Sequence, residues 1–133
     1  MTCEQVLNKV IELKKKKGGM YPGEFDEFVR AHLGRNFDQV EYIEKDGEIL
    51  AFIEWYPGRP RYSDDGRLLA VDRDEESIFF ANLVANSVKD ILLLTRKVFR
   101  WNPEAKMVYW HDMRYGRQVS FPIKEGWRKV QNG

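Results

Sequence analysis

Glu54 stands near the end of the run "EILAFIEWY", flanked in strand alternation by Phe52 and Tyr56. If those aromatics cover it, loss of water raises the pKa of its carboxyl group toward values useful to a general base. At an open sheet edge the same residue is an ordinary solvated carboxylate, and the sequence admits both readings. His111, in "VYWHDMRYG", shares a strand face with Tyr109 and Met113, opposite Trp110 and Asp112. An imidazole exchanges protons near neutral pH without assistance, and the Tyr109 hydroxyl could return a proton as general acid. Both residues are equally understood as hydrogen-bonded members of a half-buried strand. A third site of chemical interest is "ANSVKD", where an apolar run meets an amphipathic one. A helix that begins directly at a strand's end presents backbone N–H groups and a positive dipole end to an anion. Ser87 followed three residues later by Asp90 is also a capping box, which occupies the same donors. Lys89 supplies a cation there and Asp90 a competing negative charge.

The remaining candidates are weaker. His32, in "RAHLGRN", falls on the edge of a helical face, which favours packing. Neither histidine has metal-ligand spacing to another histidine or cysteine, so no zinc site is expected. Cys3 has no activating neighbour in sequence. No phosphate-binding Walker loop, nucleophile elbow or dinucleotide fingerprint is present.

The elements that must position these residues can be read from periodicity. Thr2 and Gln5 form a capping box ahead of Val6, Leu7, Val10 and Ile11 at helical spacing, and Lys14 to Lys17 close this helix before Gly18-Gly19 as a solvated cationic end. A second helix is expected over residues 24–33. Strands at 39–44 and 48–56 flank Lys45-Asp46-Gly47, where Asp-Gly is a strong hairpin signal. Residues 57–77, with two prolines and many charges, read as a long polar connection. An apolar strand follows at 78–85, expected to be central with both faces covered. A helix over 88–99 presents Val88, Ile91, Leu92, Thr95, Val98 and Phe99 and stops at Pro103. A last hairpin joins 106–115 to 118–123. The order predicts an α+β fold in one domain over residues 1–133, with a mixed, mostly antiparallel sheet, N-terminal helices and one crossover helix linking parallel strands.

Composition narrows the function classes. The chain has 133 residues, 43% hydrophobic and 32% charged, the profile of a globular domain with a core of its own. A formal charge of +1 gives no global footprint for nucleic acid or an anionic membrane. The single cysteine cannot form an internal disulfide, no membrane-length apolar stretch exists, and the N-terminus lacks the apolar core of a signal peptide. A cytoplasmic location is therefore expected.

Three phrases carry a family resemblance. "EKDGEILAFIEWY" resembles the hairpin that precedes the cofactor strand in the acyl-CoA N-acyltransferases of the GNAT superfamily. "FFANLVANSVKDILLL" resembles that strand and the helix receiving the CoA pyrophosphate. "AKMVYWHDMRYGRQVSFPI" resembles a short-ended form found in small phage and mobile-element proteins and, more remotely, in toxin-activating lysine acyltransferases. The resemblance covers most of the chain. It implies acetyl-CoA or another acyl-CoA as cofactor and an amine as acceptor. It further implies Glu54 or His111 as base and Tyr109 as acid. The backbone of Leu83, Val84 and Ala85 would lie along the cofactor, and the pyrophosphate would meet Ser87, Val88, Lys89 and Asp90, assisted by Arg59 or Arg61. The chain departs from the family in one respect: residues 86–90 contain no glycine, where the superfamily uses glycines to bring bare backbone to the phosphates.

Two readings of another class stand beside this one. Basic residues after position 95, among them Arg96, Arg100 and Arg128, alternate with Trp101, Trp110 and Trp127, a pairing that can hold single-stranded nucleic acid. The missing glycines also fit an acyltransferase-like fold kept as a non-catalytic interaction module.

Overall fold

The computed structural model describes residues 2–16, 39–66, 68–112 and 117–128. Helix α1 (Cys3–Lys16) begins at the expected capping box: the Thr2 amide donates to Gln5 Oε1 at 2.8 Å and the Gln5 amide to Thr2 Oγ1 at 3.2 Å. The two strands β1 (Val40–Lys45) and β2 (Glu48–Tyr62) turn at Asp46 and Gly47, both with positive φ (51° and 79°), the pairing that matches a tight hairpin to strand twist. The expected second helix and His32 lie outside the described residues.

After β2 come β3 (Leu68–Ala85), α2 (Val88–Trp101), β4 (Met107–Asp112), β5 (Arg117–Pro122) and the short α3 (Glu125–Arg128). The five strands form one mixed sheet in the order β1-β2-β3-β4-β5. β1 and β4 pair antiparallel with β2 and β5, while Ser77–Phe80 of β3 pair parallel with Met107–Trp110 of β4. The chain is thus α+β, with α2 connecting the two parallel strands and β3 at the centre of the sheet. The α+β class, the mixed sheet and the crossover helix between parallel strands are those the sequence order predicts.

The polar connection expected at 57–77 is instead extended structure, the outer halves of β2 and β3. Two prolines and many charges argue against a buried strand, but these halves are mostly half-buried or exposed, and their prolines cost little. The described pairing with β1 covers Glu48–Glu54, and Pro57 and Pro60 lie beyond it. Cross-strand contacts replace a hydrophobic face. Arg61 donates to Asp72 at 3.0 Å, and Gly58 abuts β3 so closely that a Cβ there would stand 2.5 Å from the Asp72 carbonyl oxygen.

Helix α2 also differs from its expected face. Its buried side chains are Leu94, Thr95, Val98 and Phe99, whereas Val88 and Leu92 are exposed. Ile91 and Leu93 are half-buried, so full burial begins only at Leu94, and Val88 and Lys89 at the helix start are exposed. The helix closes where Asn102 Nδ2 donates to the Val98 carbonyl at 2.9 Å, just ahead of Pro103.

By its internal contacts the chain falls into two units, Met1–Glu54 with Asn82–Leu94, and Trp55–Ala81 with Thr95–Gly133. The first has a core of Val6, Leu7, Val10, Ile11 and Leu13 of α1 against Ile49, Phe52 and Val84. The second buries Ile78, Phe79, Phe80, Val98, Phe99 and Val108.

Candidate functional site

A bulge sets the phase of β2. Ile43 pairs with Ala51 but Glu44 with Ile49, so Leu50 is an extra residue on β2. Simple alternation puts Ile49 and Phe52 on opposite faces; with the bulge, both pack in the α1 cluster. Glu54, two residues beyond Phe52, follows it to that face. It is fully buried, which overturns the alternative of a solvated edge carboxylate.

Its neighbours come from two other elements of the same unit. Asn82 Nδ2 donates to Glu54 Oε1 at 2.6 Å, and Lys14 Nζ donates to Asn82 Oδ1 at 3.0 Å. A carboxylate only accepts and an ammonium only donates, so the Asn82 amide has one orientation that serves both. Lys14 is 7% exposed, which corrects the reading of residues 14–17 as a wholly solvated helix end. Burial pushes its pKa down from 10.5 to about 8, with the Glu54 charge opposing the shift.

Sequence reasoning missed Lys14 and Asn82, although signals for both were present. Lys14 lies seven, four and three residues after Leu7, Val10 and Ile11, on the buried stripe of α1. Asn82 is the one amide within the apolar run 78–85, and a polar group in such a strand requires a partner.

The proposed cofactor residues belong to the same unit. Val84 is buried in the α1 cluster, Ala85 is half-buried and Leu83 is 37% exposed, so 78–85 is not covered throughout on both faces. The Asn86 amide donates to the carbonyl of Leu50, the bulge residue, at 2.9 Å, which fixes where β3 ends. The α2 cap then forms from Ser87: its Oγ accepts from the Asp90 amide at 3.2 Å and donates to the Asp90 carboxylate at 3.0 Å. Val88 and Lys89 are exposed.

Tyr109 belongs to the second unit, where Arg59 Nη2 donates to its hydroxyl at 3.0 Å and the guanidinium lies 5.5 Å from the ring centre. Arg61 is committed to Asp72. The backbone of His111 pairs with Gln118, but its side chain lies outside the described residues. Among the described residues no group of three or more histidine, cysteine, aspartate or glutamate side chains gathers as a metal site, and no described helix is long and apolar enough to cross a membrane.

Comparison with known proteins finds no family and no curated protein that matches this sequence. Among solved structures, a candidate acetyltransferase from Staphylococcus aureus Mu50 is similar, with 20% identity over 80% of this chain and 71% of that one and a TM-score of 0.46.

Proposed function

We propose that this chain transfers an acyl group from an acyl-CoA thioester to an amine. The observation that carries this reading is local to one unit: a buried carboxylate, Glu54, is held by Asn82 on the strand that runs through Leu83, Val84 and Ala85 toward the α2 N-terminus, where Val88 and Lys89 are exposed. Acyl-CoA supplies the activated carbonyl and the thiolate leaving group. Glu54 accepts, through one water, the proton that the amine loses as the new N–C bond forms and the C–S bond breaks, and the thiolate takes its proton from solvent. Asn82 fixes the carboxylate rotamer, and Lys14 fixes Asn82. At the α2 N-terminus the fit is to a single phosphate rather than to a pyrophosphate cradle. Val88 and Lys89 are exposed there, while the Asp90 amide is already taken by Ser87. Tyr109 and His111 are separate acid–base candidates, each tested by its own substitution, Tyr109→Phe or His111→Asn.

That committed amide favours a second reading, in which the fold serves as an interaction module without catalysis. Melting with acetyl-CoA, longer acyl-CoAs and free CoA separates the two. Ligand at about ten times its dissociation constant stabilises the fold by roughly 1.4 kcal/mol. Glu54→Gln keeps an acceptor for Asn82 and should lower the transfer rate about 10²–10⁴-fold at unchanged CoA affinity. No melting shift with any of these ligands at millimolar concentration sinks the enzymatic reading and leaves the module.

A further inference from the structure

The second unit contains a trough of about 550 Å³ lined by Trp110, Phe121, Pro122, Lys124, Gly126 and Trp127. Its size is that of a small-molecule site. Its walls are fixed from behind. Trp127 Nε1 donates to Thr95 Oγ1 at 2.8 Å, and the Trp127 ring meets Phe99 edge-on at 4.9 Å. On the sheet side Phe80, Trp110 and Phe121 form a lateral row of nearly parallel rings, with centres 6.3 and 4.8 Å apart and interplanar angles of 19° and 15°. The row ends at Phe121, which is 47% exposed. A further planar ring continues such a row with little reorganisation, because the rings already share one orientation. Among the described residues of the lining Lys124 alone is formally charged, and its ammonium favours an anion over a cation there.

We propose that this trough binds a planar aromatic ring bearing a negative charge, the ring against Phe121 and Trp110 and the charge at Lys124. This is independent of the reading of Glu54, and neither the acyltransfer assay nor CoA binding enters its test.

Calorimetric titration of the full chain with 2-naphthoate, 2-naphthylmethanol and cyclohexanecarboxylate provides that test. Naphthoate should bind about two- to fivefold more tightly than the alcohol, the range of an exposed ion pair, and Lys124→Gln should erase that difference. Cyclohexanecarboxylate, which cannot stack, should be the weakest. 5′-AMP as a further arm separates a nucleotide from a free aromatic acid, and binding of either lies within the proposal. A Cβ at Gly126 meets nothing within 4 Å, so Gly126→Leu should fold, fill the trough and abolish binding. If its melting is lowered, Phe121→Ala makes the same test from the opposite wall. The proposal is overturned if neither naphthoate nor 5′-AMP binds at millimolar concentration, if the saturated acid binds as well as naphthoate, or if a normally melting variant retains full affinity.

Discussion

Two opposed effects meet at Lys14. Burial removes water from its ammonium and lowers its pKa to about 8, while the Glu54 charge pulls the other way and does not win. In the unfolded chain the same group holds its proton to about 10.5. Below about pH 8 both states are protonated, and the cost of burying the charge is fully present. Between the two values the unfolded chain binds more protons than the folded one, so this group makes stability rise with pH, by roughly 3 kcal/mol across the window. Lys14→Met keeps the length of the side chain and removes the proton. Denaturant unfolding of both proteins at about pH 7 and about pH 10 should show the wild type gaining stability relative to the variant as pH rises. A difference that stays constant would mean that the amine is not desolvated. Glu54 was legible as a candidate from its place between Phe52 and Tyr56, but the residues that hold it were not. They come from positions 14 and 82, far apart in sequence, and only the bulge at Leu50 turns Glu54 toward α1. An extra residue in one strand leaves no mark in an apolar pattern that reads well in either phase.

Among the elements, those specified by local chemistry followed the sequence most closely. The Thr2–Gln5 box and the Asp46-Gly47 turn need only a few adjacent residues, and both form as read. The outer halves of β2 and β3 did not, because they are held by each other rather than by a buried face, and their charges and prolines carry a loop's signature. The α2 face was misjudged for a related reason. Its apolar residues continue into the first turn, but only those from Leu94 onward are fully buried, with Ile91 half-buried and Val88 and Leu92 exposed. The α2 N-terminus bears on function through its cap. Ser87→Ala removes the acceptor for the Asp90 amide and should lower stability by about 1 kcal/mol. It also releases that amide to a ligand. If α2 receives a phosphate, the CoA-induced melting shift should grow in this variant, measured against its own lower starting point. An unchanged or reduced shift would show that phosphate is not bound by these donors.

At the scale of the whole molecule, the question is whether two contact-defined units make one folding unit. Length and composition imply a single domain, yet the contacts divide at 54/55, 81/82 and 94/95, within β2, β3 and α2. A boundary inside a strand or helix differs from one in a linker, because one continuous element belongs to both sides and no flexible segment separates them. Cooperative, two-state unfolding is therefore expected. The tryptophans make this measurable. Trp55, Trp101, Trp110 and Trp127 are all of them, and all lie in the second unit, whereas α1 lies in the first. Tryptophan fluorescence thus follows one unit, while far-UV circular dichroism also follows the helix of the other. The two midpoints in urea should coincide. Lys14→Met, a change confined to the first unit, should shift the fluorescence midpoint as far as the dichroism midpoint. Separate midpoints, or a fluorescence transition indifferent to Lys14, would identify two independently unfolding domains and overturn the single-domain reading.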